Sequence, residues 1–215
     1  MEFHLFSKIR FEIPEPVTLI ECYCYQSDFY SKYDVIENRT IEDVNKIGAR
    51  LKHSTILECK KALEDAGKLA LFQYNLDGFL GLKEKSREEL IKELNNNIIK
   101  NLLKIKGISF STSTKILHTI YPEIIPMIDN PLQQKYKEFI NPTWDKTQGV
   151  QILIDFYNNL LIESNRKNLD IISDHCKRIN LTGLRKIRIF DIIWWSYLKA
   201  ERLKESRGIN WNSIF

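Results

Sequence analysis

Leu90, Leu94, Ile98 and Leu102 recur every four residues, and the run closes at Gly107. That spacing is close to one turn of an α-helix, so the four side chains share a face that needs apolar neighbours. Ser86, followed three residues later by Glu89, reads as a capping box that opens this helix. A stripe of this kind constrains the rest of the chain, because it is buried only if other helices pack against it.

The remainder supplies such helices. Thr40 with Asp43 opens IEDVNKIGARLK, and Ser54 opens STILECKKALEDAGKLALF, with Gly67 as a breaking or weakening point. NLDGFLGLKEK, with Gly78 and Gly81, reads as a loop. Beyond Gly107 a short helix is expected from about Ser111 to Thr119, and another begins at Asp129 with Pro131 in its first turn. Residues 145–164 and 168–180 carry helical patterns, and Thr182 caps a long last helix that stops near Gly208. The first sixteen residues differ: FHLFSKIRFEI alternates and ends at Pro14 and Pro16, as an extended segment does. Residues 17–38 are rich in aromatics without a dominant period. The expected class is therefore all-α, with a short extended N-terminal segment, in one compact domain spanning 1–215.

The composition fits a folded protein, with 43% hydrophobic and 28% charged residues among 215. No uninterrupted apolar run marks a signal peptide or a membrane span, and four scattered cysteines favour a reduced, cytoplasmic protein. His4, His53, His118 and His175 are dispersed, and neither Cys22-Tyr23-Cys24 nor His175-Cys176 has zinc-ligand spacing, so no metal is expected. A phosphate loop, a dinucleotide fingerprint and a Gly-x-Ser-x-Gly elbow are all missing, and no cofactor is expected.

The net charge is only +4, with 32 basic and 28 acidic residues, so clustering carries more meaning than the total. Lys100, Lys104, Lys106 and Lys115 gather around KIKGISFSTSTKILHTIYPEIIPMID. Lys177, Arg178, Arg185, Lys186 and Arg188 form a second cluster, and the two would make one cationic face if they met. Two helices joined by a tight Gly-containing turn present free backbone N–H groups at the start of the second, which suits a phosphate. Lys104 to Ser109 would supply that turn, with Ile105 and Ile108 anchoring it. Ser109, Ser111 or Thr112 would supply the cap or a hydroxyl contact to phosphate.

At this point the chain resembles the helix-hairpin-helix DNA glycosylases, whose hairpin reads roughly Leu-x-Gly-Val-Gly-x-Lys-Thr-Ala and is followed by an apolar helix and a loop ending in Val-Asp. The counterparts are Ile105-Lys106-Gly107-Ile108-Ser109-Phe110-Ser111-Thr112-Ser113, then Lys115-Ile116-Leu117, then Pro126-Met127-Ile128-Asp129. Asp129 lies 18 residues beyond Ser111, the position of the family's lysine, which matches the family's separation. The resemblance implies two helical lobes flanking a cleft, with the motif and aspartate loop in about 90–140 and further helices in 145–208. It implies a hairpin that clamps double-stranded DNA, at Lys104, Lys106, Gly107, Ser109, Ser111, Thr112 and Lys115, beside a flipped-out nucleotide. It also implies that Asp129 stays ionised and stabilises the sugar cation as the base departs. Ser111 in place of the nucleophilic lysine removes the lyase route, leaving a monofunctional N-glycosylase of base-excision-repair type that removes an abnormal base. Ser109 stands where the second hairpin glycine would. With Cys176 alone near the C-terminal end, the iron–sulfur cluster of some members cannot form.

Each feature also has a plainer interpretation. Asp129 is an ordinary helix cap in form, Gly107 an ordinary helix end, and the lysines ordinary solvated charges. Adjacent Trp194 and Trp195, with Phe190, Ile193 and Tyr197, form either a base-stacking wall or part of the core. Arg188 and Asp191, three apart, would pair on the last helix, and one of them could reach the cleft. The alternative function is a non-catalytic module on the same scaffold that binds DNA or a protein partner.

Overall fold

The computed structural model describes residues 1–26, 44–45, 49, 51–64, 66–145, 149–181 and 184–207. The helix expected over IEDVNKIGARLK, the aromatic stretch beyond residue 26, the Thr182 cap and the stop at Gly208 fall wholly or largely outside these residues. Among the described residues the chain is mostly helical, with one small sheet.

That sheet comes from the alternating N-terminal segment. Strands β1 (Glu2–Leu5) and β2 (Ile9–Glu12) pair antiparallel with Phe3 opposite Phe11 and Leu5 opposite Ile9. Alternation puts Phe3, Leu5 and Phe11 on the buried face. The turn places Phe6 and Ser7 at φ 52° and 59°, a conformation that usually calls for glycine or asparagine. Tertiary contacts hold it: the Phe6 ring lies edge-on to Tyr136 at 4.8 Å, and Ser7 N–H donates to Asn159 Oδ1 at 3.2 Å. The outer edge of β1 is paired by side chains rather than by a third strand. Asn165 accepts from His4 N–H at 2.9 Å and donates to His4 C=O at 2.9 Å, while Asn168 donates to Glu2 C=O at 2.7 Å. An edge so occupied does not recruit a further strand.

Pro16 then begins α1 (Pro16–Gln26), at the first helical position where its missing N–H costs nothing. The segment opened by Ser54 divides short of Gly67: α2 (Ile56–Ala62) ends at Leu63, and 3-10 turns follow over Ala66–Lys68 and Ala70–Gln73. NLDGFLGLKEK is not wholly a loop. Asn75 caps a short helix α3 (Leu76–Leu80) by accepting from Gly78 N–H, and the Leu76 and Phe79 side chains are buried. The helix α4 (Glu84–Leu94) starts two residues before Ser86, so Ser86 sits inside the first turn and the expected capping box is not formed.

The four-residue stripe explains what happens next. On a regular helix, steps of four drift by about 40° each around the axis, so the three steps from Leu90 to Leu102 would carry the stripe off the core. Here α4 runs into a π-helical turn over Asn95–Ile99 before α5 (Lys100–Leu103). The wider turn resets the phase, and Leu94, Ile98 and Leu102 all stay within 1% exposure.

After the Gly107 turn come α6 (Phe110–Ile120), α7 (Asn130–Phe139), α8 (Gly149–Leu160), α9 (Glu163–Arg178) and α10 (Lys186–Arg207). α6 is built from FSTSTKILHTI, a poor helix sequence by intrinsic propensity. It persists because it is buried almost all round and its hydroxyls are satisfied locally. Ser113 donates to Phe110 C=O at 2.8 Å, Thr114 to Ser111 C=O at 3.0 Å and Thr119 to Ile116 C=O at 2.7 Å. Small residues let neighbours approach: a Cβ on Gly149 would sit 2.1 Å from the Phe110 ring. One continuous cluster of buried side chains runs from Phe3 to Leu198, with α6 passing through it. No helix among the described residues is long and apolar enough to cross a membrane.

Candidate functional site

α6 links the two features that the sequence singles out. At its N-terminal end, Lys104 to Ser109 form the tight turn after α5, with Ile105 and Ile108 buried beneath it. Gly107 has φ 90°, and a Cβ built there meets nothing within 4 Å. Glycine is needed for the backbone conformation, not for space. Ser109 is the N-cap of α6, its hydroxyl accepting from Thr112 N–H at 3.1 Å and lying 3.0 Å from Thr112 Oγ1. Lys104, Lys106, Gly107 and Ser109 are exposed, whereas Ser111 and Thr112 are buried at 6% and 5% exposure. The outer surface of the hairpin is therefore the lysines, the glycine and the cap. Lys104 Nζ donates to Asn101 Oδ1 at 2.9 Å, one turn back.

At the other end of α6, residues 121–129 form a loop strapped on all sides. Tyr157 on α8 donates its hydroxyl to Ile124 C=O. His118 donates through Nδ1 to Ile125 C=O at 2.6 Å, which fixes the proton on that nitrogen because a carbonyl can only accept. Asp191 on α10 accepts from Met127 N–H at 3.2 Å, and Thr114 accepts from Ile128 N–H at 3.1 Å. Gln133 donates to Ile128 C=O at 2.9 Å. The loop ends at Asp129, whose Oδ1 accepts from Leu132 N–H at 3.1 Å as the N-cap of α7.

Asp129 is half-buried, and desolvation pushes its carboxyl above the ordinary value. The Leu132 N–H and the charges of Lys115, Arg202 and Arg188 act the other way and favour the carboxylate. Lys115, from the middle of α6, is pulled below its ordinary value by burial, with Asp129 opposing that shift. Behind them lies a buried polar group on α10. Arg188 is 8% exposed and places NH1 3.8 Å from Met127 Sδ; Asp191 is 1% exposed and also accepts from Trp194 Nε1 at 3.2 Å. Burial pushes Asp191 up to about 7 although Arg188 pulls it down. Burial, aided by Arg188, takes His118 down to about 3. A groove of about 210 Å³ opens beside this assembly, between α7 and α10, lined by Pro131, Gln134, Lys135, Leu198, Glu201 and Arg202. A larger cavity of about 300 Å³ lies between α3 and α9, where Lys186 bridges Asp77 at 3.0 Å and Asp170 at 2.8 Å.

Several expected residues stand differently from their sequence reading. Trp194 is core: it is 1% exposed and its indole N–H is taken by Asp191, so it offers no stacking wall. Trp195 is half-buried with Lys199 Nζ 5.1 Å from its ring. Arg188 and Asp191 do share a helix face, and that face looks into the core under the aspartate loop. The second basic cluster is largely neutralised where it stands, with Lys177 on Asp174 at 2.9 Å, Arg185 on Glu123 at 2.9 Å and Lys186 between its two aspartates. The groups that sequence reasoning left unassigned are His118 and Arg202. Charged residues inside the apolar run IRIFDIIWW are the signal for Arg188 and Asp191, since such residues are buried only when something pairs them. His118 and Arg202 had no local signal. Among the described residues no three His, Cys, Asp or Glu side chains gather as a metal site.

No protein-family model, no curated protein and no solved structure matches this chain.

Proposed function

We propose that this chain is a DNA-binding protein of the helix-hairpin-helix glycosylase type, acting in the cytoplasm as a monofunctional N-glycosylase on an abnormal base in duplex DNA. The observation that carries the reading is that one helix, α6, bears an exposed lysine-flanked glycine turn at its start and ends in a clamped loop that delivers a half-buried carboxylate. In this reading the backbone N–H groups and lysines of the turn hold phosphate. Asp129 faces the anomeric carbon of the extruded nucleotide. The C1′–N bond breaks with its electron pair leaving on the base, and the carboxylate stabilises the sugar cation. Water adds at C1′, and its proton passes to the carboxylate or to solvent. Lys115, Arg188 and Arg202 bias Asp129 toward the charged form that this step requires.

The test is base release from a panel of damaged duplexes, with abasic sites revealed by alkali. Asp129→Asn is expected to lower release by about 10²- to 10³-fold with duplex affinity unchanged. Equal release by parent and variant overturns the role of Asp129. A second reading, a DNA-binding or protein-interaction module without catalysis, is favoured by the fact that Asp129 Oδ1 is already engaged as a helix cap. Duplex binding with no release from any lesion would select it.

A further inference from the structure

The aspartate loop owes its shape to side chains from other elements, and one of these is chemically costly. Asp191 lies in the core of α10 between Phe190 and Ile192, both buried. A carboxylate there is expensive unless its oxygens are used, and both are used. Oδ2 accepts from Met127 N–H and Oδ1 from Trp194 Nε1, each at 3.2 Å. Met127 is two residues before Asp129, and Ile128 N–H is held by Thr114, so consecutive amides leading to Asp129 are fixed from two different helices. Arg188, nearly one turn earlier on α10, lies against the Met127 sulfur.

The charged and titratable groups around Asp191 come from every side. α10 contributes Arg188, the loop Asp129, and α8 Tyr157, while α6 places His118 and Lys115 beside Arg188. The Asp129 charge disfavours ionisation of Asp191, and Arg188 favours ionisation of both.

We propose that Asp191 is a positioning residue for Asp129: it fixes the loop through Met127 N–H, two residues before that carboxylate, while Trp194 Nε1 holds its other oxygen in place. The link to catalysis rests on the glycosylase reading; the positioning does not. Holding the loop gives the buried Asp191 carboxyl a task beyond packing, for which an apolar side chain would serve as well.

Amide exchange and carboxyl carbon NMR on the intact protein test it. Asp191→Leu should speed exchange of the Met127 amide roughly tenfold relative to amides in the middle of α8 and shift the Asp129 carboxyl resonance. Asp191→Asn, which keeps an oxygen acceptor of the same shape, should restore both in part. A packing role alone would leave the Met127 amide in step with α8 and the Asp129 resonance in place. A Met127 amide that exchanges in the parent protein as fast as the exposed Lys106 amide overturns the proposal, whether or not either variant folds. A slow Met127 amide without base release from any damaged duplex would sustain the positioning and discard the glycosylase reading.

Discussion

The two ends of α6 are built on opposite plans. The hairpin turn at 104–109 is anchored by two isoleucines and otherwise faces solvent, with its backbone conformation set by one glycine. The aspartate loop at 121–129 is anchored at Ile124, Ile125, Met127 and Ile128 by side chains of α6, α7, α8 and α10. A surface turn of the first kind can meet a large flexible ligand at little cost to the fold. A loop of the second kind holds one carboxylate in one place, and every strap is a point at which stability and chemistry can be disturbed together. Substitutions should therefore separate: at the turn they should act on binding, and at the loop on stability and reactivity.

The largest effect that would expose this contrast concerns pH. Folding keeps a proton on Asp191 up to about 7, against 3.8 when unfolded, so this group makes stability fall as pH rises between those values. Folding withholds a proton from His118 down to about 3, against 6.5 when unfolded, so this group makes stability rise with pH across that window. In the parent the two slopes oppose each other from about 4 to 6.5. Asp191→Asn should unmask the histidine, and its stability relative to the parent should climb by roughly a kcal/mol per pH unit across that range. His118→Asn should do the reverse, falling relative to the parent as pH rises. Urea melts at several pH values give both difference curves; parallel curves for all three proteins would show that the straps do not titrate.

Next in size is Thr114→Val, which keeps the shape but leaves Ile128 N–H buried without its acceptor. A loss of about 1 to 3 kcal/mol is expected, with recovery in Thr114→Ser. A neutral Thr114→Val would mean that the loop relaxes freely, removing the contrast. At the turn, Gly107→Ala meets open space but must adopt φ 90°, and the expected loss is about 1 kcal/mol. The smallest effect on stability belongs to Lys104→Ala with Lys106→Ala, which should leave the melting temperature unchanged. If both lysines touch phosphates, the slope of log affinity against log salt should become shallower by about 2. An unchanged slope would remove the turn from the interface.

The elements of the fold were legible to very different degrees. Asp129 as a cap, Pro131 behind it and Gly107 in the turn that follows a helix are signals that act within a few residues; the cap and the proline stand where their spacing places them, and the helix before Gly107 ends at Leu103. Ser86 misled because a capping box and the inside of a first turn share the same residue types, and the helix begins at Glu84. The short helix after Asn75 was hidden by two glycines that ordinarily mark a loop; burial of Leu76 and Phe79 compensates for them. The all-hydroxyl start of α6 reads as a weak helix and is in fact the most enclosed, because its side chains bond their own backbone.

Local physics was enough to state that this is a helical protein with a lysine-bearing glycine turn and an aspartate 22 residues beyond it. Caps, turns and apolar periods depend on neighbours in the chain, and so they can be read along it. Tertiary structure decided that Asp129 lies beside Lys115, that Arg188 and Asp191 sit beneath it rather than on a surface, and that Trp194 is core. Those outcomes depend on which helix faces which, and on how much water burial removes from each charge, and neither quantity is written in the spacing of residues.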